Sequence, residues 1–191
     1  PCGAQGAYGI TADLACFSKG MGNGYPISAL TGRRELMQHF EGGTVFLSTT
    51  FGASPIGLAA CHATLDAVPH EHPALVEHGS TFLDNLVMQC ENSELPVLIR
   101  GNFGRIVMDW RDTDAATAAQ WQTLWMQEMI RRGVLVSRVF LPMTCWTRAT
   151  VEQLCEALSE TGEVLRTVMT GQKAIDEALE GPVIAETFRR Q

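Results

Sequence analysis

Asp13-Leu-Ala-Cys-Phe-Ser-Lys-Gly-Met-Gly-Asn-Gly-Tyr-Pro26 is the stretch on which the fold turns. Leu14 to Phe17 reads as a short buried strand that runs into Lys19, and Ile27 to Thr31 reads as the next strand. Between them the glycines at 20, 22 and 24 and Pro26 make the densest turn signal in the chain. A lysine fixed at a strand end beside backbone without side chains can be held rigidly while a bulky ligand comes close. Such a lysine works as a covalent amine nucleophile when partial burial or a cationic neighbour eases the loss of its proton. A Schiff base to an aldehyde cofactor is one such use. The bland alternative is a solvated lysine leading into a loop, and for an isolated Lys-Gly pair that is the ordinary case.

Two nucleotide-binding readings compete for the same glycines. Gly20-x-Gly22-x-Gly24 imitates the start of a dinucleotide fingerprint, but Pro26 and Ile27 lead into an extended run where that motif needs a helix. A phosphate-binding P-loop needs a Ser or Thr after the lysine, and Gly20 stands there. Neither motif fits its context.

Outward from this stretch, short apolar runs alternate with helical patterns, which predicts α/β layering. The opening residues through Gly9 read as loop, and the start at Pro1 reads as a piece of something longer. Helices are expected from about Arg33 and over Pro55 to Val68. Pro69 to Pro73, with His70 and His72 in a loop, then breaks the pattern and marks a domain boundary. Beyond it the sequence predicts a helix over Ala74 to Cys90 and strands at Val97 to Arg100 and Arg105 to Trp110. A helix over Ala115 to Arg132, closed by Gly133, a strand at Val134 to Val136 and a helix over Thr150 to Met169 follow. The tail after Gly181 is too short to read.

Composition narrows the class. The chain has 191 residues, 46% of them hydrophobic, enough for a sizeable core. Fourteen basic against 21 acidic residues leave a net charge of −7, which argues against nucleic acid as a partner. No run approaches the roughly 20 apolar residues of a membrane span. Six cysteines without a C-x-x-C pair suggest reduced thiols, a cytoplasmic setting, no disulfide framework and no metal site. His39, His62 and His78 stand singly on expected helices and read as packing or surface residues. Trp110, Trp121, Trp125 and Met126 read as core, and Arg33 and Arg34 as solvated.

Residues 3–37, Gly-Ala-Gln-Gly-Ala-Tyr-Gly-Ile-Thr-Ala-Asp-Leu-Ala-Cys-Phe-Ser-Lys-Gly-Met-Gly-Asn-Gly-Tyr-Pro-Ile-Ser-Ala-Leu-Thr-Gly-Arg-Arg-Glu-Leu-Met, closely resemble the lysine segment of class III aminotransferases. Within that family the segment looks most like the branch of glutamate-1-semialdehyde aminomutase and related transaminases. The resemblance implies a fold-type I architecture. Residues 1–68 would be the end of the large, mainly parallel-sheet domain, and residues 73–191 the small C-terminal α+β domain. It further implies pyridoxal 5′-phosphate as cofactor, with Lys19 forming the internal aldimine and serving as general acid and base. Phe46-Leu-Ser-Thr-Thr-Phe-Gly-Ala-Ser-Pro-Ile-Gly-Leu-Ala-Ala60 resembles a second family stretch. There Thr50 would bind the cofactor phosphate of a neighbouring subunit, with Thr49 beside it, so a homodimer is implied. Without that context, Ser48 to Thr50 would read as caps and turns before Pro55.

The resemblance covers about residues 3 to 170, most specifically 3 to 60. It departs at Ala53 and Ser54, where the family usually has Gly and then Asn or Glu, and at Arg148-Ala149-Thr150, where this branch carries His-Thr. The family's aspartate for the pyridine nitrogen, its stacking aromatic and its phosphate loop lie upstream of the segment matching Gly3, so the chain alone is expected to bind the cofactor weakly and not to turn over. Three functions follow. The first moves an amino group from a small-molecule donor to a carbonyl acceptor, the second is an aminomutase using the same lysine, and the third is a non-catalytic relic.

Overall fold

The computed structural model describes residues 3–185; Pro1, Cys2 and the tail from 186 onward lie outside them. The chain divides into two compact units, residues 1–72 and 73–191.

The first unit begins with α1, Gly3–Tyr8, where the sequence suggests loop. The helix is only six residues long, and its stop signal explains it. Gly9 takes φ +64°, Ile10 N–H donates to the Gln5 carbonyl at 2.8 Å, and the Gly9 N–H reaches Gly6, which is a Schellman closure. Strand β1, Leu14–Phe17, falls where expected and strand β2, Ala29–Gly32, starts two residues later than expected, but neither is buried: Leu14 and Phe17 are exposed. The two strands pair with each other antiparallel, Leu14 opposite Gly32 and Phe17 opposite Ala29. The parallel pairing expected of this segment is not seen among the described residues, because a parallel pair needs a crossover that the short glycine turn cannot supply. Gly32 has no room for a side chain, since a Cβ there would overlap the Asp13 carbonyl oxygen. Helix α2, Arg34–Glu41, follows, and Arg33 at its start is not merely solvated: it pairs with Asp13 at 3.0 Å and Glu35 at 2.6 Å.

Helix α3 runs without a break from Pro55 to Asn92, so Pro69 and Pro73 do not end it, and His70 and His72 are helical. Each proline removes one backbone donor at a cost of roughly 3 kcal/mol. The donor missing at Pro69 leaves the Leu65 carbonyl without its partner, and the donor missing at Pro73 leaves the Pro69 carbonyl without its own. The far end of the helix compensates by burying Phe82, Leu86 and Cys90 completely or nearly so.

The second unit holds the core. Strands β3, Val97–Asn102, β4, Arg105–Trp110, and β5, Val139–Phe140, form an antiparallel sheet in the order β3-β4-β5. Helix α4, Ala118–Arg131, packs on β4 and on α5, Arg148–Met169. Both helices start with a capping box, Thr117 with Gln120 and Thr147 with Thr150, which moves their starts away from the Ala115 and Thr150 expected. The expected strand at Val134 to Val136 is absent. After Gly133, at φ +78°, Leu135 turns outward at 91% exposure, and pairing with β4 begins only at Val139. A short helix α6, Ile175–Ala178, closes the unit.

Ile106 and Met108 of β4, Trp121, Leu124, Trp125 and Met129 of α4, and Leu158, Leu165 and Val168 of α5 are essentially inaccessible. Phe82 meets the rings of Phe140 at 4.9 Å and Trp146 at 5.4 Å, tying α3 to β5 and the loop after it. Gly79 lets the β3–β4 turn lie on α3, since a Cβ there would run into the Phe103 carbonyl. One carboxylate is buried with them. Glu128, 3% exposed, accepts from Arg131 at 2.5 Å, Gln127 at 3.1 Å and Arg132 at 2.9 Å, and Arg132 continues to Glu160 at 2.8 Å.

Every buried hydrophobic residue among those described lies at or after Phe82. The first unit instead leaves Tyr8, Phe17, Phe46, Leu47, Phe51 and Ile56 exposed, and backbone hydrogen bonds carry its shape.

Candidate functional site

The candidate site lies in the first unit, in the turn after β1 and the segment leading into α3. Lys19 stands two residues past the end of β1 and opens a single 3₁₀ turn, Lys19–Met21. It holds φ +52°, a left-handed conformation costing a non-glycine residue roughly 1–2 kcal/mol. The turn is closed by the Gly22 N–H on the Lys19 carbonyl at 3.1 Å and the Met21 N–H on the Ser18 carbonyl at 3.2 Å. Ser18 Oγ donates to the Ile27 carbonyl at 3.3 Å, so the two ends of the glycine turn are clamped together.

Each glycine has its own role. At Gly22 an added Cβ would lie 2.5 Å from both Ile27 Cγ2 and the Tyr25 carbonyl oxygen, so this position is closed to any side chain. Gly20 and Gly24 face open space, Gly24 at φ +105°. The outcome is a rigid base under Lys19 and bare backbone beside it, which suits a flat, bulky ligand. Lys19 is exposed, and among the described residues no carboxylate pairs with its ammonium.

The second segment reaches the first through Ile27. Gly57, in the first turn of α3, packs its Cα against the Pro26 carbonyl and the Ile27 side chain, where a Cβ would sit at 3.3 and 3.5 Å. Thr49 and Thr50 lie just before that helix and are exposed. The Thr49 carbonyl accepts from the Gly52 N–H at 3.3 Å, whereas the Thr50 hydroxyl has no partner among the described residues. A free hydroxyl before a helix N-terminus suits an anion. No hydrogen bond joins Thr49 or Thr50 to the Lys19 turn among the described residues. Ser18, Ile27 and Gly57 were not singled out from sequence; the small residue before the lysine and the glycine one turn into α3 were the available signals.

Ala53 shows what its sequence departure costs. It takes φ +53°, the conformation for which the family's glycine is suited. Ala53→Gly is expected to raise stability by roughly 1 kcal/mol, read as a higher denaturation midpoint of the intact protein; an unchanged or lower midpoint would contradict the strain.

Among the described residues no group of three His, Cys, Asp or Glu side chains could hold a metal ion, and no helix is long and apolar enough to cross a membrane. The five described cysteines are free, with burial pushing the Cys90 thiol up to about 12.

Comparison with known proteins gives the arrangement its context. The family described as "Aminotransferase class-III" matches residues 3–178. The chain is 30% identical over 160 residues to acetylornithine aminotransferase of Halalkalibacterium halodurans, covering 83% of this chain and 40% of that protein. It is 29% identical over 171 residues to 3-aminobutyryl-CoA aminotransferase of Cloacimonas acidaminovorans, covering 85% and 41%. The chain thus spans about two fifths of the length of these relatives. Among solved structures, a transaminase with PLP bound superposes with a TM-score of 0.79 at 18% identity, over 90% of this chain and 42% of that one. A β-phenylalanine aminotransferase from Variovorax paradoxus gives a TM-score of 0.71 at 23% identity, over 83% and 40%. At such identities these structures show the shared fold alone.

Proposed function

The chain belongs to the class III aminotransferase family, and from that membership we propose that it carries the lysine-bearing part of an enzyme that moves an amino group from an amine or amino acid to a carbonyl compound. The carrying observation is Lys19 itself, fixed by the 3₁₀ turn, exposed, unpaired among the described residues and flanked by open backbone at Gly20 and Gly24. The first unit is read as the end of the large cofactor domain and the second as the small domain.

Pyridoxal 5′-phosphate, when bound, supplies an aldehyde that takes up the amino group and a ring that withdraws electrons from the substrate's α carbon. The residues here suit it: a primary amine to attach it, a bare turn to admit its ring and hydroxyls for its phosphate. Lys19 Nζ would hold it covalently and would move the substrate's α proton, as base and then as acid. Thr50 Oγ1 would donate to the phosphate across a homodimer boundary, with Thr49 beside it and the α3 N-terminus adding partial positive charge. An active monomer would contradict that assignment of Thr50.

Transfer is tested by giving the intact protein an amine donor and 2-oxoglutarate. Glutamate that forms only when both are present supports it. A product formed from one amino aldehyde without an acceptor would overturn transfer in favour of the aminomutase reading, and a folded, cofactor-loaded protein inert to both would leave the relic.

A further inference from the structure

Against the acidic balance of the chain, the second unit opens a cationic cavity of about 500 Å³ beside the last residues of β4. Arg100, Arg111 and Arg138 line it, with Asp109 as the one carboxylate among the lining residues. Asp109 is shared by Arg100 at 2.9 Å and by Arg138 at a loose 3.8 Å. Arg111 lies two residues beyond Asp109 on extended chain, its N–H still bonded to the Pro96 carbonyl at 2.8 Å. Its guanidinium has no partner among the described residues.

Two further features point to a ligand. Trp110 lines the same cavity with its ring packed on Trp125 at 5.8 Å, and its indole Nε1, like that of Trp125, is buried without a hydrogen-bond partner. Leu98 and Ile184 add apolar wall. The start of α4 also borders the cavity at Ala118 and Ala119. The Ala118 N–H is already taken by Asp112 Oδ1 at 2.7 Å, so the helix contributes its positive end more than that donor.

We propose that this cavity, built wholly from residues of the second unit, binds a small doubly charged oxyanion, a phosphate monoester or a dicarboxylate. Two guanidiniums on one carboxylate and a third without a partner among the described residues leave forks under-used, and Arg forks match phosphate and carboxylate oxygens pairwise. The ligand's carbon skeleton would lie on Trp110 and Ile184. None of the residues proposed to hold the cofactor takes part.

The test titrates inorganic phosphate and, separately, succinate into the intact protein saturated with pyridoxal 5′-phosphate, at low ionic strength. Saturable binding is expected, weakened about tenfold or more by Arg111→Gln and by Arg138→Gln. Arg148→Gln, whose guanidinium pairs with Glu152 on α5, should bind as the unmodified protein does. Tighter phosphate binding assigns a phosphate monoester, and tighter succinate binding a dicarboxylate. The proposal is overturned if neither anion saturates, or if folded Arg111→Gln protein binds as well as the original.

Discussion

Lys19→Ala is expected to lower amino transfer by at least about 10³-fold, because it removes both the covalent attachment and the proton carrier from one atom. The turn should survive, since its hydrogen bonds use the Lys19 carbonyl and not its side chain. Alanine inherits the φ of +52° and with it the same backbone cost. Fold and activity are therefore separable. A circular dichroism melt close to that of the original, with turnover lost and partly restored by an added small primary amine, is the expected pattern. Activity within tenfold of the original would place the chemistry elsewhere.

The second large effect belongs to stability. Burial by itself would raise the pKa of Glu128, but hydrogen bonds from Arg132 and Gln127 and the charges of Arg131 and Arg132 outweigh it and hold the carboxyl below its usual value. A carboxyl with a depressed folded pKa stabilises the fold above its unfolded value and loses that contribution as pH falls through the folded one. The second unit should therefore lose stability from about pH 4.5 downward. Glu128→Gln leaves Arg131 and Arg132 facing a neutral amide, each still paired with one outer carboxylate, Glu180 and Glu160. It should cost about 1.5–3 kcal/mol near neutral pH, as losing hydrogen bonds to a charged group does. It should also flatten the acid slope. Thermal melts of both proteins between pH 3 and pH 7 check it; parallel slopes would refute the role given to this carboxylate.

Glu128 also shows where sequence reading stops. Its network joins residues of α4 to Glu160 on α5 and Glu180 beyond it, and no local pattern announces such a meeting. The strands at Leu14 to Phe17 and Arg105 to Trp110 were legible because apolar runs are local. The continuity of α3 through Pro69 and Pro73 was not, because packing at Phe82 and Leu86 outweighs two missing donors. Val134 to Val136 misled for the opposite reason: it has strand-forming residues and no partner to pair with. At the site, Lys19 and Thr50 carried a resemblance to a known family. The clamp from Ser18 to Ile27 and the seat of Gly57 on Ile27 are contacts across the turn that spacing does not reveal.

The most direct test of the account is borohydride reduction of the intact protein with pyridoxal 5′-phosphate, followed by peptide mass mapping, with Lys19→Ala as control. A pyridoxyl adduct on Lys19 that is absent from the control is the predicted result. A folded protein with no adduct, or with its adduct on Lys173, the other lysine of the chain, would contradict it.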